Sequence, residues 1–162
     1  MAGNVRGEGA PESELDGSGM RLGVVCGRFN DGITLRLLDG VHRGAAAVGV
    51  ADDALVEEWV PGAFEIPFAA KAMAASGRVD AVVCLGAVIR GETSHYDFVA
   101  GECARGIQDV QLEVGVPVMF GVLTTEDVAQ AEARSAGPGE HNVGEECSLT
   151  AVEMVALARR WT

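Results

Sequence analysis

Hydrophobic positions along the chain switch period in a regular way. Arg21–Cys26 is a short apolar run ahead of a Gly/Asn/Asp turn, which predicts a buried strand. Thr34–Ala47 then places Leu37, Leu38, Val41 and Ala45 at helical spacing. Leu55–Val60 reads as a second strand, stopped by Pro61-Gly62. Phe64–Ala75 reads as a helix that tolerates Pro67 in its first turn. Ala81–Ile89 is the most continuous apolar run and predicts a central strand buried on both faces. A helix is expected from about His95 to Val114, capped by Thr93 or Ser94. Pro117–Leu123 predicts a fourth strand, and Thr124-Thr125-Glu126-Asp127 opens a short helix ending near Arg134. Residues 135–143 form a loop, and Gly144–Arg160 a last helix with Ala151, Met154, Val155 and Leu157 turned inward.

Strands that alternate with helices imply an α/β fold: a four-stranded parallel sheet with right-handed crossovers that lay helices on both faces. In such folds ligands gather at the carboxyl ends of the strands. That rule selects Gly27–Asp31, Pro61–Glu65, Arg90–His95 and Leu123–Asp127. Residues 1–19, rich in Gly, Glu and Ser, predict a flexible tail ahead of one domain spanning 20–162.

Composition narrows the function classes. With 12 basic and 24 acidic residues the net charge is −12, which gives no electrostatic grip on nucleic acid. A small anionic substrate stays possible, because one cation and a few backbone amides hold a phosphate. Cys26, Cys84, Cys103 and Cys147 are far apart with no CxxC pair, as in a cytosolic protein with reduced core thiols. His42, His95 and His141 lack metal-ligand spacing, and the run 81–89 is too short to span a membrane. The expectation is a soluble cytoplasmic protein without metal.

The strand-end segments carry the candidate chemistry. Phe29 could stack on a flat ring or pack on a neighbour. The corner Pro61-Gly62-Ala63 lets a ligand approach the backbone, and Glu65 could bind a ligand or complement a helix dipole. The turn Arg90-Gly91-Glu92-Thr93-Ser94 runs into a helix N-terminus, a natural phosphate seat. His95 stands there as a candidate proton-transfer group, or as a structural histidine at a helix start. Arg134 could bind a phosphate or favour a helix C-terminus. Phe120 lies on the fourth strand. A redox cofactor motif and an activated nucleophile are both lacking, so the implied chemistry is a condensation helped mainly by positioning. A signalling receiver would need an acidic phospho-acceptor after the central strand, where Arg90 stands. A flavin electron carrier would want a Ser/Thr-rich loop in place of Gly27-Arg28-Phe29-Asn30.

Four blocks closely resemble the 6,7-dimethyl-8-ribityllumazine synthase family: Gly27-Arg28-Phe29-Asn30, VPGAFEIPFAAK from Val60, GAVIRGETSHYDFV from Gly86, and FGVLTTEDVAQAEAR from Phe120. The similarity covers nearly everything from Met20 to Arg160. It implies a flavodoxin-like three-layer α/β/α sandwich and a cofactor-free transferase of riboflavin biosynthesis. The reaction implied condenses 5-amino-6-(D-ribitylamino)uracil with L-3,4-dihydroxy-2-butanone 4-phosphate to 6,7-dimethyl-8-ribityllumazine. By the same resemblance, Phe29 stacks on the pyrimidine, Ala63, Phe64 and Glu65 hold the ribityl chain, and Ala87, Val88 and Ile89 meet the ring edge through backbone groups. Glu92 and Thr93 offer backbone amides to the phosphate, with Arg134 as its cation, and His95 donates and accepts protons. Phe120 and Arg134 come from a neighbouring subunit of a homopentamer, itself free or built into a decamer or a sixty-subunit shell. Riboflavin synthase is the candidate protein partner.

One departure stands out. The family usually carries Asn-Lys-Gly at the start of the last helix, whereas this chain has Asn142-Val143-Gly144 in a loop about one residue longer. Arg134 then becomes the main cation, with His141 as a compensating candidate. The same departure motivates the alternative of a catalytically impaired or repurposed paralogue that holds a ligand or forms a shell.

Overall fold

A computed structural model describes residues 9–162. The strands are β1 (Leu22–Gly27), β2 (Leu55–Val60), β3 (Ala81–Ile89) and β4 (Val118–Thr125). The helices are α1 (Asp31–Ala47), α2 (Ile66–Ala75), α3 (His95–Val114), α4 (Val128–Ala133) and α5 (Val143–Arg160). The strands form one parallel sheet in the order β2-β1-β3-β4. Helices cover both faces, giving the flavodoxin-like three-layer sandwich expected.

The two interior strands explain the unbroken apolar runs. All six residues of β1 and the first seven of β3 are buried, because each strand has neighbours on both edges and helices on both faces. Alternate side chains feed two cores. Leu22, Val24, Val83 and Leu85 pack towards α1 and α5, while Val25, Val82 and Cys84 pack towards α2 and α3.

Several boundaries differ from the sequence expectation. β4 runs to Thr125 rather than Leu123, because its parallel register with β3 continues to Ile89↔Thr125. The following helix therefore starts late, at Val128, where the Asp127 side chain accepts the Gln130 amide at 2.8 Å. α1 starts three residues earlier than Thr34, since Asn30 adopts a left-handed conformation (φ 61°) and its carbonyl accepts the amides of Ile33 and Thr34. α2 begins at Ile66 after a 3-10 turn over Ala63–Glu65. At α3, Ser94 occupies the cap position without a side-chain bond, and the Thr93 hydroxyl accepts the His95 amide at 3.3 Å.

Of the stretch 1–19 expected as a flexible tail, the first eight residues lie outside the described ones. Beyond them, Leu15 packs on the α1/α5 core and Gly17 is buried, its amide donating to the Val48 carbonyl at 2.6 Å.

Candidate active site

A cavity of about 640 Å³ opens at the carboxyl ends of β1, β2 and β3, where the topology of an open parallel sheet concentrates ligand contacts. Its floor follows from strand lengths. β1 pairs with β3 only as far as Cys26↔Leu85, whereas β3 continues beside β4 to Ile89. The last three residues of β3, Ala87–Ile89, thus have a strand on one side and the cavity on the other. Arg90 donates its amide to the Thr125 carbonyl of β4, while the Ala87 carbonyl points the opposite way and accepts Asn30 Nδ2 at 2.9 Å. Strand alternation then turns the polar backbone of Ile89 to the same side as Ala87 and that of Val88 towards β4.

Phe29 forms one wall. It stands two residues beyond the end of β1, is 74% exposed, and its amide donates to the Pro61 carbonyl, which ties the first loop to the second. Gly62, Ala63, Phe64 and Glu65 form the next wall, with Ala63 buried and the Phe64 ring largely exposed. Glu65 makes no ion pair among the described residues. The third wall is the loop after β3 and the start of α3, with Gly91, Thr93 and His95 on it. His95 is exposed, lines the cavity, and its ring has no hydrogen-bond partner among the described residues. The N-terminus of this twenty-residue helix supplies amides and a partial positive charge beside it.

Nine of the twelve sequence-selected residues therefore converge here: Phe29, Ala63, Phe64, Glu65, Ala87, Val88, Ile89, Thr93 and His95. Glu92 lies in the same loop but off the cavity wall, exposed. Phe120 and Arg134 stand apart. Phe120 sits in mid-β4 opposite Cys84, four residues short of the level reached by Thr124, and is 42% exposed. Arg134 caps the C-terminus of α4, and one of its guanidinium nitrogens donates to the Gln130 carbonyl at 2.9 Å. Arg134 has no carboxylate partner among the described residues. The cavity wall of one chain thus carries neither arginine nor lysine.

Sequence reasoning passed over Asn30 and the first turns of α3. Asn30 holds the Ala87 carbonyl and turns the chain from β1 into α1; an asparagine in the short turn between strand and helix, tolerant of positive φ, was the available signal. Tyr96, Phe98 and Val99 line the cavity from α3, but at helical spacing they look like ordinary core positions. Arg90 is spent locally. Its Nε donates to Glu126 at 2.9 Å, a second nitrogen lies 3.4 Å from Asp97, and the guanidinium sits 4.2 Å from the Tyr96 ring centre. It braces the loop between β3 and α3 against the end of β4.

Val143, in place of the expected lysine, is partly buried against the α1/α5 core, and its amide donates to the Arg134 carbonyl at 2.9 Å. The His141 ring lies 3.3 Å from Glu146. The four cysteines are buried, and desolvation pushes the thiols of Cys26, Cys103 and Cys147 up to about 12 and that of Cys84 upward as well. None is a usable thiolate near neutral pH. Among the described residues, no helix is long and apolar enough to cross a membrane.

A profile of the family described as 6,7-dimethyl-8-ribityllumazine synthase matches residues 19–159. Proteins of that family are transferases of riboflavin biosynthesis, generally form homo-oligomers and bind small-molecule substrates. With the match running from the approach to β1 to the end of α5, the chain belongs to the 6,7-dimethyl-8-ribityllumazine synthase family.

Proposed function

We propose that this chain condenses 5-amino-6-(D-ribitylamino)uracil with L-3,4-dihydroxy-2-butanone 4-phosphate, giving 6,7-dimethyl-8-ribityllumazine, water and inorganic phosphate. The observation that carries this reading is the convergence on one cavity of an exposed aromatic, an open strand edge and an unpartnered histidine at a helix N-terminus. Phe29 stacks on the pyrimidine, and the backbone of Ala87 and Ile89 meets its polar edge. The Ala63–Glu65 corner takes the ribityl chain, with the Glu65 carboxylate as hydroxyl acceptor. The amides around Thr93 seat the phosphate at the start of α3.

The reaction asks for proximity and proton traffic. The 5-amino group attacks the ketone and expels a first water to form a Schiff base. Loss of a proton from the adjacent carbon then expels phosphate and leaves an enol that tautomerises to a ketone, on which the ribitylamino nitrogen closes the second ring with loss of a second water. Holding the two reactants at attack distance supplies roughly 7–11 kcal/mol of the barrier. His95 takes a proton from the attacking amine and returns one to the departing oxygen, worth a factor of about 10² to 10⁴.

A phosphate finds no cationic side chain on the cavity wall of one chain. Arg134 and Phe120 complete the site from a neighbouring copy, which makes assembly, in the first instance a pentamer, a condition of activity. All five phenylalanines support this reading: each is exposed in the single chain, and neither core contains one. A domain spanning 20–162 and a cytoplasmic location complete the proposal, with riboflavin synthase as the enzyme that consumes the product.

The test is turnover by the purified protein, followed by product absorbance, with His95→Ala and Arg134→Ala alongside. Expected are a kcat lowered about 10²-fold or more but still measurable for His95→Ala, and a raised KM for the butanone phosphate in Arg134→Ala. Wild-type protein that assembles yet forms no product overturns the enzymatic reading. It favours the ligand-holding alternative, to which Val143 in place of the family's usual lysine points.

A further inference from the structure

We propose that Arg36, on α1 and away from the cavity, is a positioning residue that sets Arg134 for the substrate's phosphate; this rests on the reading of Arg134 as the phosphate's cation. Arg36 bonds the backbone on both sides of Arg134. Its Nε donates to the Ser135 carbonyl at 2.9 Å and a terminal nitrogen donates to the Glu132 carbonyl at 3.2 Å. The Glu132 carbonyl also accepts the Ser135 amide at 3.2 Å, and Ser135 lies just beyond α4, so the guanidinium fork ties the end of the helix to the turn that follows while its charge favours that end.

The rest of the turn is fixed mainly from the start of α5. The Asn142 amide nitrogen donates to the Arg36 carbonyl at 3.1 Å and to the Ala136 carbonyl at 2.9 Å. Val143 donates its amide to the Arg134 carbonyl, and the Ser135 hydroxyl donates to the Ala131 carbonyl at 2.8 Å. Of the side chains bonded to this turn from outside it, Arg36 is the one whose contacts bracket Arg134 directly. Like Arg134, Arg36 has no carboxylate partner among the described residues, in a chain that carries twice as many acidic as basic residues. α4 is six residues long and too short to hold its own last turn, so the Arg36 clamp fixes the backbone from which the Arg134 side chain, bonded to the Gln130 carbonyl, projects.

The experiment is a double-mutant cycle on the assembled enzyme, reading KM for each substrate and kcat in wild type, Arg36→Ala, Arg134→Ala and the double variant. Arg134→Ala is expected to raise KM for the butanone phosphate about tenfold or more, and Arg36→Ala about three- to tenfold, with KM for the uracil within about twofold in both. In the Arg134→Ala background, removal of Arg36 should change KM by less than about twofold, because its effect passes through the missing guanidinium. Arg36→Gln, which keeps one amide donor for a carbonyl, should fall between wild type and Arg36→Ala. Should Arg36→Ala fail to assemble, the Arg36→Gln pair carries the cycle.

An unchanged phosphate-substrate KM in the Arg36 variants, beside a raised one in Arg134→Ala, overturns the positioning role and leaves Arg134 as read. Equal fold-changes in both backgrounds also overturn it, since Arg36 would then act on its own. No effect of Arg134→Ala removes the reading of Arg134 and the role of Arg36 with it.

Discussion

On the face covered by α1 and α5 the helices meet through glycine, whereas on the face covered by α2 and α3 large apolar side chains stand in solvent. Gly40 and Gly44 on α1 lie against Asn142 and Ser148, and Gly144 on α5 lies against the Leu37 carbonyl, so closely that a Cβ would collide at each position. Ser148 and Asn142 are buried there with their bonds made, Ser148 to the Glu145 carbonyl and Asn142 to two carbonyls and the Glu145 amide. The other layer leaves Phe64, Phe68, Phe98, Leu112 and Phe120 exposed. The α1/α5 side leaves Leu35, Leu157 and Trp161 exposed but no phenylalanine. The other has the surface of a protein made to be covered, in keeping with a family that generally forms homo-oligomers.

The sharpest way to break this comparison is glycine-to-alanine exchange on each side. At Gly144 the new methyl meets backbone, which cannot rotate away, so Gly144→Ala should destabilise by about 3 kcal/mol, the upper end of overpacking costs. At Gly101 on α3 a Cβ meets nothing within 4 Å, and Gly101→Ala should stabilise by about 0.5–1 kcal/mol through helix propensity. Chemical denaturation measures both. A Gly101→Ala that destabilises would mean that α3 is closely covered in the assembly; a neutral Gly144→Ala would remove the contrast.

The same contrast explains which parts of the structure were legible in the sequence. β2, β3 and α3 carry the bounds that the pattern predicts, because each is set by local signals: Pro61-Gly62 after β2, the apolar run of β3, the capping residues before α3. β4 was read short because Thr124 and Thr125 look like turn residues. Only the register with β3 and the burial of Thr125, whose hydroxyl donates to the Asp127 carbonyl at 2.9 Å, make them strand. Phe29, Ala63, Phe64, Glu65, Thr93 and His95 were legible through topology, whereas Ala87, Val88 and Ile89 were legible only through the family resemblance. The role of Asn30, which lies within the selected segment Gly27–Asp31, and the α3 face were not legible, since both depend on how far β3 outruns β1. Arg36 was invisible for a further reason: its partners are backbone carbonyls about a hundred positions along the chain, and carbonyls leave no trace in residue identity.

A smaller effect, shared by both cores, is alkaline sensitivity. Cys26 and Cys147 belong to the α1/α5 core, Cys84 and Cys103 to the α2/α3 core. Burial raises the folded-state thiols of Cys26, Cys103 and Cys147 from 9.0 to about 12. The folded state thus binds these protons more tightly than the unfolded one. Their contribution is complete below about pH 9 and is lost as pH rises from there towards 12. Tm should hold between pH 7 and 8.5 and fall above it. Cys103→Ala and Cys147→Ala should each flatten that alkaline limb, to a similar degree if both cores are equally dry. A limb that only Cys147→Ala flattens would show that water reaches the α2/α3 core, and would extend the difference between the faces into the interior.

The smallest effect on the fold is expected where the surface is most apolar. Phe68 projects from α2 at 84% exposure, beside a shallow groove lined by Trp59, Ala72, Met73 and Val79, and it is not part of the cavity. Exposed in one chain, its ring buries little on folding, so Phe68→Ser should change the stability of the unassembled chain by less than about 0.5 kcal/mol. If another copy covers this face, the substitution removes an aromatic anchor and should shift mass, by light scattering, towards smaller species. Turnover should then fall with assembly although no residue of the cavity has changed. A variant that keeps both its mass and its turnover would leave Phe68 uncovered in the working enzyme. The search for the covering surface would then move along the same layer to Phe120 and to Phe98, which already lines the cavity.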